Sequence, residues 1–451
     1  MTQFTHTTYA SLKSSLAGRL GDTGMVYWTD TELGLYCLEA LRTWGLLTGY
    51  WRDIGSTATV SGTPLYNVSS ITNAGGDALL SSTVTDSNMV SLIQYHLLEP
   101  STGVSWTGSE QFTLADVTGA LQRRRDKLLV ETGATVTLSS QVLAAGSSTI
   151  DLTDTILAIR RLSWKGVSGT DWALYPEDIN NQRNYSLSYL LTQGTPQTYS
   201  SISTQPLSLQ IAPPSNEPGT LSILAVESGA ALTAAGIALG IPDDMSWIVK
   251  WGALADMLGK QGPAQDLPRS YFCERRWRLG LEAAKVYPTV INAQINGVSL
   301  GSDAISSFDQ YKPNWYTTTG TPSLIGSLRN YIALSTCPDG IYSILLEVVR
   351  KAVLPSADGD FIQIGREILD PLLDYAEHLA TFKCGGHEFK HTYRGAQNFF
   401  NAALSYNQQL AAKSPNIVEI MRQSTRDDYV LPLKKQPSND ILEQLSTVDT
   451  Q

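Results

Sequence analysis

The chain has 451 residues, 42% of them hydrophobic and 16% charged, and a formal net charge of -10. That length allows two or three domains with a sizeable core, and the acidic balance excludes an overall basic footprint for gripping a phosphate backbone. Cys37, Cys273, Cys337 and Cys384 form no CxxC pair and read as free thiols in a reducing compartment. The opening residues are too polar for a signal peptide, and no run of about 18 apolar residues suggests a membrane span.

The first clear element follows Trp28. Thr29 and Glu32 match a capping box, and Leu33, Tyr36, Cys37, Ala40, Leu41, Trp44 and Leu47 recur at helical spacing up to Gly49. Tyr36, Trp44 and Trp51 are the expected packing residues of this region. Short strands are expected over 57–68, around Gly62-Thr63-Pro64. A second helix is expected over 86–98, ended by Pro100. A third covers 114–131, with Thr113 as its cap and Gly133 as its stop. From 135 the period becomes two. Strands are expected over 135–138, 149–152, 156–164, 207–211 and 220–226. Helical spacing returns with Trp247, Trp251, Leu254 and Leu258, then with Phe272, Arg276, Leu279 and Ala283. Asp243 and Asp244 suit the start of a helix, where carboxylates favour the positive dipole end.

The sequence then suggests a duplication. Gly194-Thr195-Pro196 recurs as Gly320-Thr321-Pro322. Each is followed by a strand, a turn, a strand and two helices, so a β-hairpin plus a helical hairpin is expected twice. Residues 412–451 are polar and broken by Pro415, Pro432 and Pro437. Tyr429, Val430, Leu431 and Leu433 form an apolar island there and are candidate docking residues. The expected fold class is α+β: N-terminal helices plus β-layers, sandwich-like, and helical hairpins. Its divisions are 1–134, mainly helical; 135–288, β-rich with a helical hairpin; 289–411, the second β/α unit; and 412–451, an extended tail.

Three motifs bear on chemistry. Arg123, Arg124 and Arg125, with Lys127, read as a solvated helix face or as a contact for an acidic partner or passing DNA. His387-Glu388-Phe389-Lys390-His391 matches HExxH, in which two histidines on one helix face hold zinc and the Glu acts as a base. Against it stand Gly385-Gly386 directly before the motif, Lys390 inside it, and Gln397 where a third His would be needed; His378 and Cys384 are neighbours for a structural metal site. Gly297-Val298-Ser299-Leu300-Gly301 matches GxSxG after a strand-like run, but also fits a plain β-turn. No catalytic residue, metal or cofactor is therefore assigned.

A family resemblance rests on several segments: Leu20-Gly21-Asp22, Trp28-Thr29-Asp30-Thr31-Glu32-Leu33 and Glu39-Ala40-Leu41-Arg42, then Ile159-Arg160-Arg161-Leu162-Ser163-Trp164, Leu174-Tyr175-Pro176-Glu177-Asp178 and Gly194-Thr195-Pro196. Over residues 1–286 the order of these segments resembles phage head-to-tail adaptor proteins. The resemblance implies a structural virion protein of the neck, not an enzyme: a homo-oligomeric, twelvefold ring that docks on the portal protein, meets tail or nozzle proteins and surrounds passing genomic DNA. It implies assembly in the host bacterial cytoplasm and no membrane partner. The alternatives are a zinc-dependent hydrolase using His387, His391 and Glu388, and another tail or collar structural protein.

Overall fold

The computed structural model describes residues 4–98, 105–106, 108, 110–167, 169, 171–178, 191–204, 207–287, 290–312 and 314–413; the docking candidates Tyr429 to Leu433 lie outside the described residues. Helix α1, Tyr9–Arg19, was not legible in the polar opening. Thr8 caps it, and only Leu12, Leu16, Ala17 and the stem of Lys13 are buried, too few positions to mark a period. Helix α2, Asp30–Thr48, follows the expectation: the Thr29 side chain accepts from the Glu32 N–H, and Gly49 closes the helix at φ 55°. The reciprocal half of that capping box is not formed. The Glu32 carboxylate instead accepts from the Tyr36 hydroxyl at 2.7 Å and the Lys383 ammonium at 2.9 Å, because a buried carboxylate gains more from a cation than from one exposed cap N–H.

Strand β1, Arg52–Ala58, and strand β2, Leu65–Asn67, flank the Gly62 turn but do not pair with each other. Helix α3, Asp86–Leu97, and helix α4, Leu114–Thr132, carry complete capping boxes, Thr85 with Asn88 and Thr113 with Asp116.

The period-two region is a seven-stranded sheet. Its strands are β3 (Thr137–Leu143), β4 (Thr149–Asp151), β5 (Ile156–Gly166), β6 (Asp171–Pro176), β7 (Thr198–Thr204), β8 (Leu207–Ala212) and β9 (Gly219–Glu227), in the order β3-β9-β5-β6-β7-β8-β4. The sheet curls over its own core of Leu143, Ile150, Leu162, Trp164, Leu209 and Ile223. Strand β3 starts later than expected because Asn330 holds Val136, its amide oxygen accepting from the Val136 N–H at 2.9 Å and its side-chain N–H donating to the Val136 carbonyl at 3.0 Å. Strands β8 and β9 are not a hairpin, contrary to the sequence reading: β8 pairs with β7 and β4, and β9 with β3 and β5. The reason is burial on both faces. Leu221 and Ile223 of β9 face the sheet's own core while Leu224 and Val226 face the helices, so β9 takes a central place.

Helix α5, Ser246–Gly259, buries Trp247, Trp251, Leu254 and Leu258, and helix α6, Leu267–Val286, packs beside it with Asp266 as its cap. Next come β10 (Val290–Ile295), β11 (Val298–Ser299), β12 (Gly301–Ser302), helix α7 (Ile305–Tyr311), β13 (Thr319–Gly320), β14 (Leu324–Leu328), β15 (Tyr331–Leu334), β16 (Cys337–Pro338) and β17 (Ser343–Val349). Two four-stranded sheets, β1-β17-β10-β11 and β12-β14-β15-β2, share a core of Val68, Ile295, Ile332, Leu334, Ile344 and Leu346. Strands β15 and β17 thus belong to different sheets, and the second expected hairpin is also not formed. What recurs is the helix pair: α8 (Arg366–Thr381) and α9 (Gly386–Lys413) pack together as α5 and α6 do.

All four of these helices join α1–α4 in one core that includes Trp44, Trp247, Trp251, Trp277, Leu379 and Phe399. Each buried tryptophan removes roughly 200 Å² from water, worth several kcal/mol before the entropy of ordering is counted. That gain draws helices from distant parts of the chain together. The curled sheet and the sandwich are locked by Arg161, whose guanidinium donates to both Asp309 carboxylate oxygens at 3.1 and 3.0 Å, while Trp315 donates its indole N–H to the same carboxylate at 2.8 Å. The architecture is mixed α+β, as the sequence indicated.

Candidate interaction surfaces

The basic cluster lies on α4, and its three arginines point in three directions, as successive helical positions about 100° apart must. Arg125 is fully buried and donates to the Ala230 and Gly229 carbonyls and the Ser228 hydroxyl. It ties α4 to the chain leaving β9. Arg124 bridges Asp256 of α5 and Glu274 of α6 and covers the Trp277 ring. Arg123 is 66% exposed and 3.6 Å from Asp256. The cluster is therefore partly a structural brace, and its outward charge is that of Arg123 and Lys127. Sequence reading missed what joins them: Arg278 of α6 is 75% exposed and linked to Glu274 at 3.4 Å. The run Glu274-Arg275-Arg276-Trp277-Arg278 was the available signal.

The HExxH motif does fall on a helix, with Gly385 and Gly386 at φ 65° and 58° leading into α9. His387, Glu388 and His391 are all exposed, and the two rings lie parallel with centroids 6.1 Å apart. His378 is turned inward, stacked on Phe389 and bonded through Nδ1 to the Thr392 hydroxyl at 3.0 Å. The Cys384 thiol donates to the Tyr27 hydroxyl oxygen. Among the described residues no group of three or more His, Cys, Asp or Glu is placed to hold a metal ion. The GxSxG match is a tight hairpin turn: β10 and β11 pair at Ile295 and Val298, with Asn296 at φ 48° and Gly297 at φ 82° between them. Both central residues have positive φ, as a type I′ turn demands. This is the β-turn reading, and it does not present Ser299 on a strand-to-helix elbow.

The strongest electrostatics are buried. Lys250 of α5 pairs with Glu39 of α2, and the Trp251 indole N–H donates to the other Glu39 oxygen at 3.0 Å. Burial drives the Lys250 pKa down while Glu39 opposes the shift. A lone lysine in the apolar run of α5 was the sequence signal for such a pair. Asp243 and Asp244 do stand at the entry to α5, but they brace other segments: Asp243 accepts from the Thr83 and Val84 N–H groups at 2.7 and 2.9 Å, and Asp244 accepts from the Ala352 N–H at 3.0 Å. Burial pushes the Asp244 carboxyl up to about 7.

Exposed apolar side chains gather at one end of the sandwich. The Thr59 N–H donates to the Tyr342 carbonyl at 2.8 Å and the Ser343 N–H to the Asn296 amide oxygen at 3.1 Å. These bonds bring the turns carrying Val60, Val298 and Ile341 together, and all three side chains are exposed. Such a tip suits protein contact better than catalysis.

A family model described as SU10 adaptor protein matches residues 87–269, from α3 through α4 and the seven-stranded sheet into α6. The match supports a bacteriophage adaptor family and a structural role in the virion. No curated protein matches the chain. No helix among the described residues is long and apolar enough to cross a membrane.

Proposed function

We propose that the chain is a head-to-tail adaptor: a homo-oligomeric ring, twelvefold like the portal, that docks on the portal protein, receives the tail or nozzle proteins and seals the channel through which genomic DNA passes. The observation that carries this reading is the adaptor-family match over 87–269. It is supported by a net charge of -10, which keeps a duplex from adhering to the channel wall, and by the turns of Val60, Val298 and Ile341, which offer apolar side chains to a partner. Assembly takes place in the host bacterial cytoplasm, without a membrane partner. The tail beyond α9, with Tyr429, Val430, Leu431 and Leu433, docks on a neighbour. Native mass spectrometry of the purified chain, alone and with portal, tests the proposal. A ring-sized species in either sample supports it; a monomer in both refutes it.

A further inference from the structure

We propose that two oppositely charged flanks of the helical body are the two halves of one head-to-tail contact between copies of this chain; this deepens, and rests on, the ring reading above. On the first flank the bases are the outermost groups. Ion pairs run without a break from Arg123 through Asp256, Arg124 and Glu274 to Arg278, and from Lys127 through Glu131 to Lys285. Arg124 and Lys285 are the less exposed bases and make the closer contacts of this network. Arg123, Lys127 and Arg278 are more than half exposed, and their contacts to acids are long, at 3.6, 3.8 and 3.4 Å. A cation that reaches outward in this way is available to a second, better partner.

The second flank is acidic. Glu367, Asp370, Asp374 and Glu377 follow one another at spacings of three and four on α8, so they form one stripe. Asp370 is 88% exposed. Asp30 and Asp358 extend the flank beside α1, where both engage Lys13. Arg19 of α1, paired with Asp370 and Asp374, and the buried Lys13 offset only part of this charge.

The two flanks do not meet within the chain. Helices α6 and α8 touch through Arg276, which donates to the Tyr375 hydroxyl at 3.4 Å and covers the Tyr375 ring. On α6, Arg278 lies two residues beyond Arg276; on α8, Glu377 lies two residues beyond Tyr375. Two residues turn a helix by about 200°. Arg278 and Glu377 therefore each turn away from this contact. Outward bases on one flank and outward acids on the other are not paired with each other within the chain, but they can pair between successive chains. A head-to-tail contact of this kind is heterologous and closes into a ring when the rotation permits. In a chain of net charge -10, the basic flank is also what limits repulsion between copies.

Charge reversal in the full chain tests this. One variant carries Arg123→Glu with Arg278→Glu; the other carries Glu367→Lys with Asp370→Lys. All four side chains are exposed, so circular dichroism should show unchanged folds. Sedimentation velocity at low salt should show that the wild-type chain assembles, less so as salt rises. Each variant alone should need at least about tenfold more protein to assemble. An equal mixture of the two should assemble again, because each reversed flank then meets its complement. If both variants assemble like wild type, or if the mixture fails to recover, the flank assignment is overturned while the ring reading stands. A wild-type chain that stays monomeric alone and with portal overturns the ring reading and this one with it.

Discussion

The ammonium of Lys250 lies 2.9 Å from Nε2 of His96, with both side chains buried in the helical core. An ammonium group only donates, so Nε2 accepts and the neutral ring carries its proton on Nδ1. The Glu39 carboxylate accepts from another Lys250 N–H. One lysine thus joins α5 to α2 and α3.

Removing that lysine leaves a carboxylate uncompensated in the core. Lys250→Met should cost about 3–5 kcal/mol, read as a lower urea midpoint. The double variant with Glu39→Gln should recover part of the loss, since no bare charge remains. A cost under about 1 kcal/mol for the single variant would show that the pair does not bind the helices together.

Stability should depend on pH through two opposed groups. Burial holds the His96 and His378 pKa values well below their ordinary range. The unfolded chain then binds more protons below about pH 6.5, so this contribution is present above that pH and is lost as pH falls. Asp244 works the other way. Its folded value is raised from 3.8 to about 7, so the folded chain binds the extra proton between those values. This contribution is fully present below about pH 3.8 and is lost progressively as pH rises to about 7. Asp244→Asn removes only the second effect. The stability of the variant relative to wild type should rise between about pH 4 and 7 and level off above, by at most about 1.4 kcal/mol per pH unit. A difference that stays flat across that range would refute the assignment.

Much of this was legible in the sequence because local rules decide it. The ends of α2, α3 and α4 are fixed by Thr29, Thr85, Thr113, Gly49 and Gly133, each acting within four residues. The class, α+β, follows from the change of period near 135. Strand pairing was not legible. Nothing near Pro213 shows that β8 and β9 separate, because β9 is placed by Leu224 and Val226 meeting helices remote in sequence. Surfaces were half legible: Arg123 was visible as a charge, but Arg278 joins it only once α4 and α6 lie side by side. Tyr36, Trp44 and Trp51, expected to pack, are buried.

Arg161 should prove irreplaceable by lysine. Its fork meets both oxygens of Asp309, and its guanidinium lies 5.2 Å from the Trp315 and Tyr316 ring centroids. An ammonium cannot reproduce either contact. Arg161→Lys should speed amide hydrogen exchange in α7 and in β13 while leaving α2 protected. Unchanged exchange in α7 would mean that the sheet and sandwich are held together elsewhere.

The exposed histidine motif separates the adaptor from a zinc hydrolase. His387, Glu388 and His391 face solvent, so Glu388→Gln should leave thermal stability within about 0.5 kcal/mol of wild type and assembly unchanged. Should the wild-type chain hydrolyse a peptide library in the presence of zinc, and the variant not, the hydrolase reading would replace the structural one.

Truncation after Lys413 asks what the tail does. Among the described residues, α9 is anchored by Phe399 and Ala403 in the core and by the Asn407 side chain, which donates to the Leu47 carbonyl at 2.9 Å. The shortened chain should therefore keep its melting temperature. The removed stretch holds Tyr429, Val430, Leu431 and Leu433, an apolar island around Pro432. If they dock on a neighbour, assembly with portal should weaken while the fold is kept. Because the charged flanks remain, some salt-sensitive association should survive. A chain that assembles as well as wild type after truncation would remove the tail from the contact and leave the flanks as its carriers. A chain that loses its melting transition would show instead that the tail belongs to the fold.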